Sequence, residues 1–159
     1  LRWLEKTEFS LVGLKLCQPT KQRVDAHLPH SLAWREEAGN RALEWCREQS
    51  LKPLDIYGSD APAEICQKIR DWNFAYLASG PVVVLVLEGE EVVAAVRKIA
   101  GHTFPDKAWR GTVRGDFGRD TALAASREKR ACRNLVHASS DPAEAQRETR
   151  AWFSPGELL

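Results

Sequence analysis

The 159-residue chain contains no methionine. It therefore has no initiator, and the expectation is that it begins part-way through a longer polypeptide. It also lacks an excess of either charge: 23 basic against 22 acidic side chains give a formal net charge of +1. Such a balance excludes a broad electrostatic footprint for nucleic acid or a membrane surface, so any anion must be met by a local arrangement of charges. No stretch approaches the ~18 to 20 consecutive apolar residues that span a bilayer, and no basic segment followed by an apolar one opens the chain as a signal would. Cysteine is sparse. Cys17, Cys46, Cys66 and Cys132 match neither a paired zinc spacing nor a dense disulfide framework, which points to reduced thiols and a cytoplasmic setting. There is no Walker loop, GxSxG elbow, HExxH or CxxC, and no repeat or low-complexity tract.

What is present suits one globular domain. A hydrophobic content of 43% over this length allows one real core but not two comfortable ones. Leu1 to Thr7 reads as the end of a helix, and Phe9 to Cys17 alternates well enough for a strand closed by Pro19. Ala33 to Gln49 carries Trp34, Ala38, Ala42 and Trp45 at helical spacing among charges, the pattern of an amphipathic helix. After a turn-rich connection from Leu51 to Asp60, Asp60 as N-cap and Pro62 in the first turn open a second helix with Ile65, Ile69, Trp72 and Tyr76 on one face. Val82 to Leu87 (VVVLVL) is unbroken and β-branched, as in a strand covered on both faces.

Gly89 to Gly101 reads as a helix with Glu90 and Glu91 in its first turn and Arg97 and Lys98 in its last, complementing the helix dipole. His102 to Asp120 reads as a long loop, and Arg127 to Arg133 as a basic helical turn. Asn134 to Ser139 (NLVHAS) has the pattern of a last strand. Ser140, Asp141, Pro142 and Glu144 then start a helix running to about Trp152. The order helix, strand, two helices, strand, helix, strand, helix argues for an α/β sandwich with helices packed on one sheet.

Chemistry concentrates late in the chain. Arg97, Thr103, Arg110, Arg114 and Asn134 gather around the strand that carries His137, and arginine forks with a hydroxyl are what a polyphosphate requires. A strand histidine is often only structural; a functional one needs its ring fixed by a second group, and Glu148 on the following helix is placed for that. Arg114, Gly115 and Asp116 spell an adhesion tripeptide, a match short enough to arise by chance. His27 and His30 lie three apart without a metal-ligand pattern, and no metal site is expected from the histidines.

These residues carry a resemblance. GTVRGDF (111–117), RNLVHASS (133–140) and WFSPGEL (152–158) resemble the GTIRGDF, RNxxHGSD and WFxPEEL of the nucleoside diphosphate kinases. SGPVVVLVLEG (79–89) and VGLKLCQPTKQ (12–22) are similar to that family's SGPVVAMVWEG and VGLKMVQPTKE, so the match runs in order along most of the chain. The resemblance implies a ferredoxin-like βαββαβ domain with an antiparallel sheet. It implies transfer of a γ-phosphate from a nucleoside triphosphate, ATP among them, to a nucleoside diphosphate through phosphorylated His137, with Glu148 and Ser139 orienting the ring. Arg97, Thr103 and Arg114 fall where the family clamps phosphates, and Asn134 where it meets the sugar. Mg²⁺ is expected to arrive with the nucleotide, and the chain to form a homo-oligomer, hexamer or tetramer.

There are departures as well. The family opens with a strand and a KPDG lysine, whereas Leu1 aligns within the first helix, so a central sheet member is expected to be missing. Residues 27–78 exceed the short region where the family keeps a tyrosine and a base-stacking phenylalanine, leaving Tyr57, Ile69 and Trp72 as candidates within a helical insertion of a single domain spanning 1–159. HGSD has become HASS, with Asp141 one place later. The rival reading is a non-catalytic module of the same fold that binds nucleotide or a protein; such a module has no need of a nucleophile with its orienting acid.

Overall fold

The computed structural model describes residues 9–28 and 31–159; the helix expected over Leu1 to Thr7 lies outside them. Two antiparallel strands, β1 (Ser10–Cys17) and β2 (Val82–Glu88), form the sheet among the described residues. Between them in sequence stand α1 (Lys21–His27), α2 (Leu32–Glu48), α3 (Pro53–Tyr57) and α4 (Pro62–Leu77). After β2 come α5 (Val92–Ala100), a 3₁₀ turn at Pro105–Lys107, α6 (Val113–Phe117), α7 (Ala122–Arg127) and α8 (Pro142–Trp152), with a second 3₁₀ turn at Pro155–Glu157.

The strands register with Leu14 opposite Leu85 and Leu16 opposite Val83, and a bulge falls between Leu11 and Gly13. The bulge has a local cause in packing. A Cβ at Gly13 would lie 2.8 Å from Leu158 and 3.1 Å from Phe153, so the C-terminal WFSPGEL segment packs directly on the backbone of β1. Its end is pinned there: the Leu159 amide donates to the Val12 carbonyl at 2.8 Å, and Lys15 pairs with Glu157 at 2.7 Å.

The longer helices α2 and α4 pack on each other. Cys46, Ile56, Tyr57 and Ile65 are buried at their junction, with Trp45, Ile69 and Trp72 against them. Gly39 lets the two backbones meet, since a Cβ there would sit 2.0 Å from the Pro62 carbonyl oxygen. Pro62 opens α4 with its fixed φ, but the N-cap is Ala61 with no side-chain bond; Asp60 lies one residue too early to cap. The turn-rich connection holds a short helix instead, α3, ended by Gly58 at φ 77°.

Three further expectations differ from the structure. Val83 and Leu85 are 59% and 40% exposed, so β2 is not covered on both faces among the described residues. Glu90 and Glu91 precede α5: Glu91 is its N-cap in a left-handed conformation, φ 51°. Residues 134–139 form no strand. The Val136 amide donates to the Asn134 carbonyl at 2.8 Å across Leu135, whose φ is +70°, a γ-turn of the rare positive-φ kind.

The reason lies in the sheet. A strand needs a ladder partner to satisfy its backbone, and none is described between β2 and this segment. What lies there is a groove of about 690 Å³ lined by Val82 to Leu87 of β2, by Val92, Val96 and Ile99 of α5, and by Leu135 to Ser139. It involves no residue of β1, so it follows the edge of β2 that β1 leaves unused. His137, Ser139 and Glu148 line this groove as well.

Candidate active site

Helix α8 supplies the acid. Asp141 caps it by accepting from the Glu144 amide at 2.8 Å, and Pro142 takes the first position, where a missing N–H costs nothing. Two turns on, the helix carries Glu148, which is buried. His137 stands half exposed on the segment before the helix, with its Nε2 at 3.0 and 3.1 Å from the two Glu148 oxygens. Ser139 Oγ donates to Glu148 Oε2 at 2.5 Å.

A carboxylate can only accept, so Nε2 bears the imidazole proton. The lone pair is left on Nδ1. The sequence-predicted trio His137, Ser139 and Glu148 is thus a single hydrogen-bonded unit.

Arg114, on α6, is buried and spans two carbonyls, with Nη1 donating to Gly101 and Nη2 to Val136, both at 2.7 Å. It thereby ties the turn holding Thr103 to the segment holding Asn134 and His137. Its Nε is buried without a hydrogen-bond partner, an orphan donor that calls for an explanation such as a ligand. Burial lowers its pKa first, and the charge of Arg97 at the end of α5 lowers it further. Two guanidinium groups this close cost energy that an anion between them would recover. Arg97 and Thr103 are themselves exposed.

Because Arg114 points inward, the Arg114-Gly115-Asp116 tripeptide is not displayed as an adhesion motif. A Cβ at Gly115 would meet the Trp109 carbonyl oxygen at 2.0 Å, so that glycine is there for close packing. Thr112 caps α6 from one side and Asp116 Oδ1 accepts from the Gly111 amide at 2.8 Å, which fixes the loop the arginine rises from. Farther on, Asp120 accepts from Arg130 and from the Arg133 amide at 2.7 Å; hydrogen bonds from Arg130 hold its carboxyl at about 2.

The inserted helices contribute differently from expectation. Tyr57, Ile69 and Trp72 sit in the α2–α4 core, with the Tyr57 and Trp72 rings 5.5 Å apart. Their candidacy for nucleotide contact is not supported: Tyr57 is buried there, Ile69 and Trp72 are half-buried against it, and none of the three lines the groove. A residue set aside in the sequence is instead at the site. His27 closes α1 and packs edge-on to His137, ring centroids 4.7 Å apart at 83°. Only its place at the end of a short helix led by the Thr20 cap signals it, and that helix is hard to recognise at seven residues. The ligand atoms of His27, His137 and Glu148 lie within 4.8 Å of one another, a spacing that the His137–Glu148 hydrogen bonds and the packing of His27 against both already account for.

Comparison with known proteins decides the family. The model for nucleoside diphosphate kinase matches residues 58–158. The chain belongs to the nucleoside diphosphate kinase family. The nucleoside diphosphate kinase of Pyrobaculum aerophilum is 39% identical over 155 residues, 98% of this chain and 85% of that protein. A crystal structure of the enzyme from that organism superposes with a TM-score of 0.93 at 38% identity, covering 98% of this chain and 86% of the other. The nucleoside diphosphate kinase of a Synechococcus species is 34% identical over 98% of this chain and 76% of its own. A Borrelia burgdorferi nucleoside diphosphate kinase with bound vanadate and ADP has the same fold, TM-score 0.71 at 23% identity, covering 98% of this chain and 76% of that one.

The ferredoxin-like α/β class expected from the motifs is therefore the right one, and the activity is that of a phosphotransferase acting on nucleotides. No helix among the described residues is long and apolar enough to cross a membrane.

Proposed function

We propose that the chain is a single domain, 1–159 with a helical insertion at 27–78, in which His137 Nδ1 carries the phosphoryl group between two nucleotides. The observation that carries this reading is the pairing of His137 Nε2 with both oxygens of buried Glu148. Nδ1 attacks the terminal phosphorus in line, an N–P bond forms, the bridging P–O bond breaks, and the nucleoside diphosphate leaves with that electron pair. The β-phosphate oxygen of a second diphosphate then attacks the same phosphorus and the N–P bond breaks, so the kinetics are ping-pong. As the phosphohistidine forms, the ring gains positive character, and Glu148 stabilises it while Ser139 holds the carboxylate.

Arg97, Arg114 and Thr103 receive the phosphates: the spare N–H groups of Arg114, its orphan Nε first, lie beside the His137 segment. Asn134 meets the sugar. The donor set of two arginines and a hydroxyl suits anions and is no cage for a bare cation. Mg²⁺ therefore comes as part of the nucleotide substrate, held by phosphate oxygens and water, and lowers the charge on the transferring group. The substrates are ATP and other nucleoside di- and triphosphates, and the working form is a homo-oligomer, tetramer or hexamer.

Incubation of the protein with γ-labelled ATP tests the carrier. Acid-labile, base-stable label is expected on the wild type and none on His137→Ala. Equal labelling of the two sinks the phosphohistidine. Nucleotide binding without any label on the wild type favours the non-catalytic module.

A further inference from the structure

His27 has no part in the reaction as described, yet it is a buried polar group packed against His137. It is 8% exposed and held on four sides. Its Nδ1 lies 3.3 Å from Glu148 Oε1 and 3.3 Å from Trp152 Nε1; its carbonyl accepts from Arg147 Nη2 at 3.2 Å; and its ring stands edge-on to His137. Helices α1 and α8 are thus joined through one imidazole.

The ring is neutral near pH 7: burial brings its pKa down to about 4, against the pull of Glu148 and with a smaller push from His137. A neutral imidazole has one donor and one acceptor nitrogen. Nδ1 faces an indole that can only donate and a carboxylate that can only accept, so it serves one of them. The ring geometry decides which: Trp152 Nε1 donates to Nδ1 at 3.3 Å, so Nδ1 is the acceptor and the proton sits on Nε2.

We propose that His27 is a positioning residue for phosphoryl transfer: anchored to α8 by accepting from Trp152 Nε1 at Nδ1, it braces the His137 ring edge-on so that His137 Nδ1 faces the nucleotide. Glu148 holds two donors, His137 and Ser139, and His27 stands at 3.3 Å from its Oε1 as the wall beside them. Without the Trp152 anchor the His27 ring turns, and the edge that holds His137 is lost. Because His27 touches no reacting atom, its effect falls on the chemical step and leaves nucleotide affinity alone. The charged and titratable groups facing it are Glu148, His137, Glu144 and Arg147.

This proposal rests on His137 as the phosphate carrier, and the test separates the two. His27→Phe keeps ring volume but removes the acceptor that anchors the ring to Trp152; His27→Asn keeps an acceptor oxygen near the Nδ1 position. The expected result is a kcat for His27→Phe lower by roughly 10- to 100-fold, the scale for a misoriented reacting group. KM should be unchanged, phosphoenzyme formation slower but still stoichiometric, and most of the rate restored in His27→Asn. Equal kcat in wild type and His27→Phe overturns the proposal, as does an equal loss in both variants tracking a fall in Tm, which makes His27 mere packing. Absence of label on wild-type His137 overturns the carrier itself and this proposal with it.

Discussion

At the scale of single residues, the site is a set of proton assignments. Glu148 accepts from His137 and Ser139, which fixes the nucleophilic nitrogen without any residue touching it. His27 also sets a pH dependence. Its folded pKa of about 4 lies below the ordinary 6.5, so between those values the unfolded chain binds a proton that the folded chain refuses. Stability is therefore complete above about pH 6.5 and declines as pH falls toward 4, by on the order of 3 kcal/mol at the lower end. Denaturant midpoints for wild type and His27→Asn across this window are expected to diverge, the wild type losing stability more steeply on the acid side. Parallel curves would show that His27 is not buried neutral.

Leu135 belongs to the same scale. A β-branch-free but bulky side chain at φ +70° is a backbone state costing about 1–3 kcal/mol, and such residues cluster where function requires them. Its γ-turn lies two residues before His137 and redirects the chain so that the imidazole meets Glu148. Nothing in NLVHAS announces this: the letters read as a strand because alternation and β-propensity carry no record of φ at one residue.

At the scale of elements, α8 was legible almost to the residue. Asp141, Pro142 and Glu144 are local signals, and local signals act through the chain's own backbone. The start of α5 was less so, since Glu90 and Glu91 suit a helix dipole yet stand before the first turn. Close approach of α2 and α4 hangs on Gly39, whose virtual Cβ falls 2.0 Å from a backbone carbonyl oxygen of Pro62. Backbone does not yield as a flexible side chain does. Gly39→Ala should improve the intrinsic helix propensity of α2 by up to ~1 kcal/mol and still destabilise the protein, by about 1–3 kcal/mol or more from overpacking. Urea unfolding checks the sign: a stabilised variant would mean that the helices separate at no cost.

At the scale of the whole molecule, the sheet and the surface carry what remains. The groove beside β2 runs to His137, so the unused edge of the sheet and the proposed phosphate carrier share one cavity. Trp109 and Phe117, 85% and 63% exposed, bracket the segment from which Arg114 rises. Exposed aromatics of this size are common where proteins associate. Sedimentation equilibrium is expected to return a mass four or six times that of one chain, at concentrations where Trp109→Ser shifts it downward. A wild-type mass equal to that of one chain would remove the assembly from the reading.

By itself the sequence determined the motifs, the family they belong to, the histidine with its acid eleven residues on, and the helix that brings that acid back, because each depends on residue identity at short range. Only the tertiary structure decided that 134–139 is a turn, that Tyr57 and Trp72 face a core, that Arg114 is turned inward, and that His27 stands against His137. These are outcomes of pairing and burial between segments distant in the chain, and the pattern within either segment does not contain them.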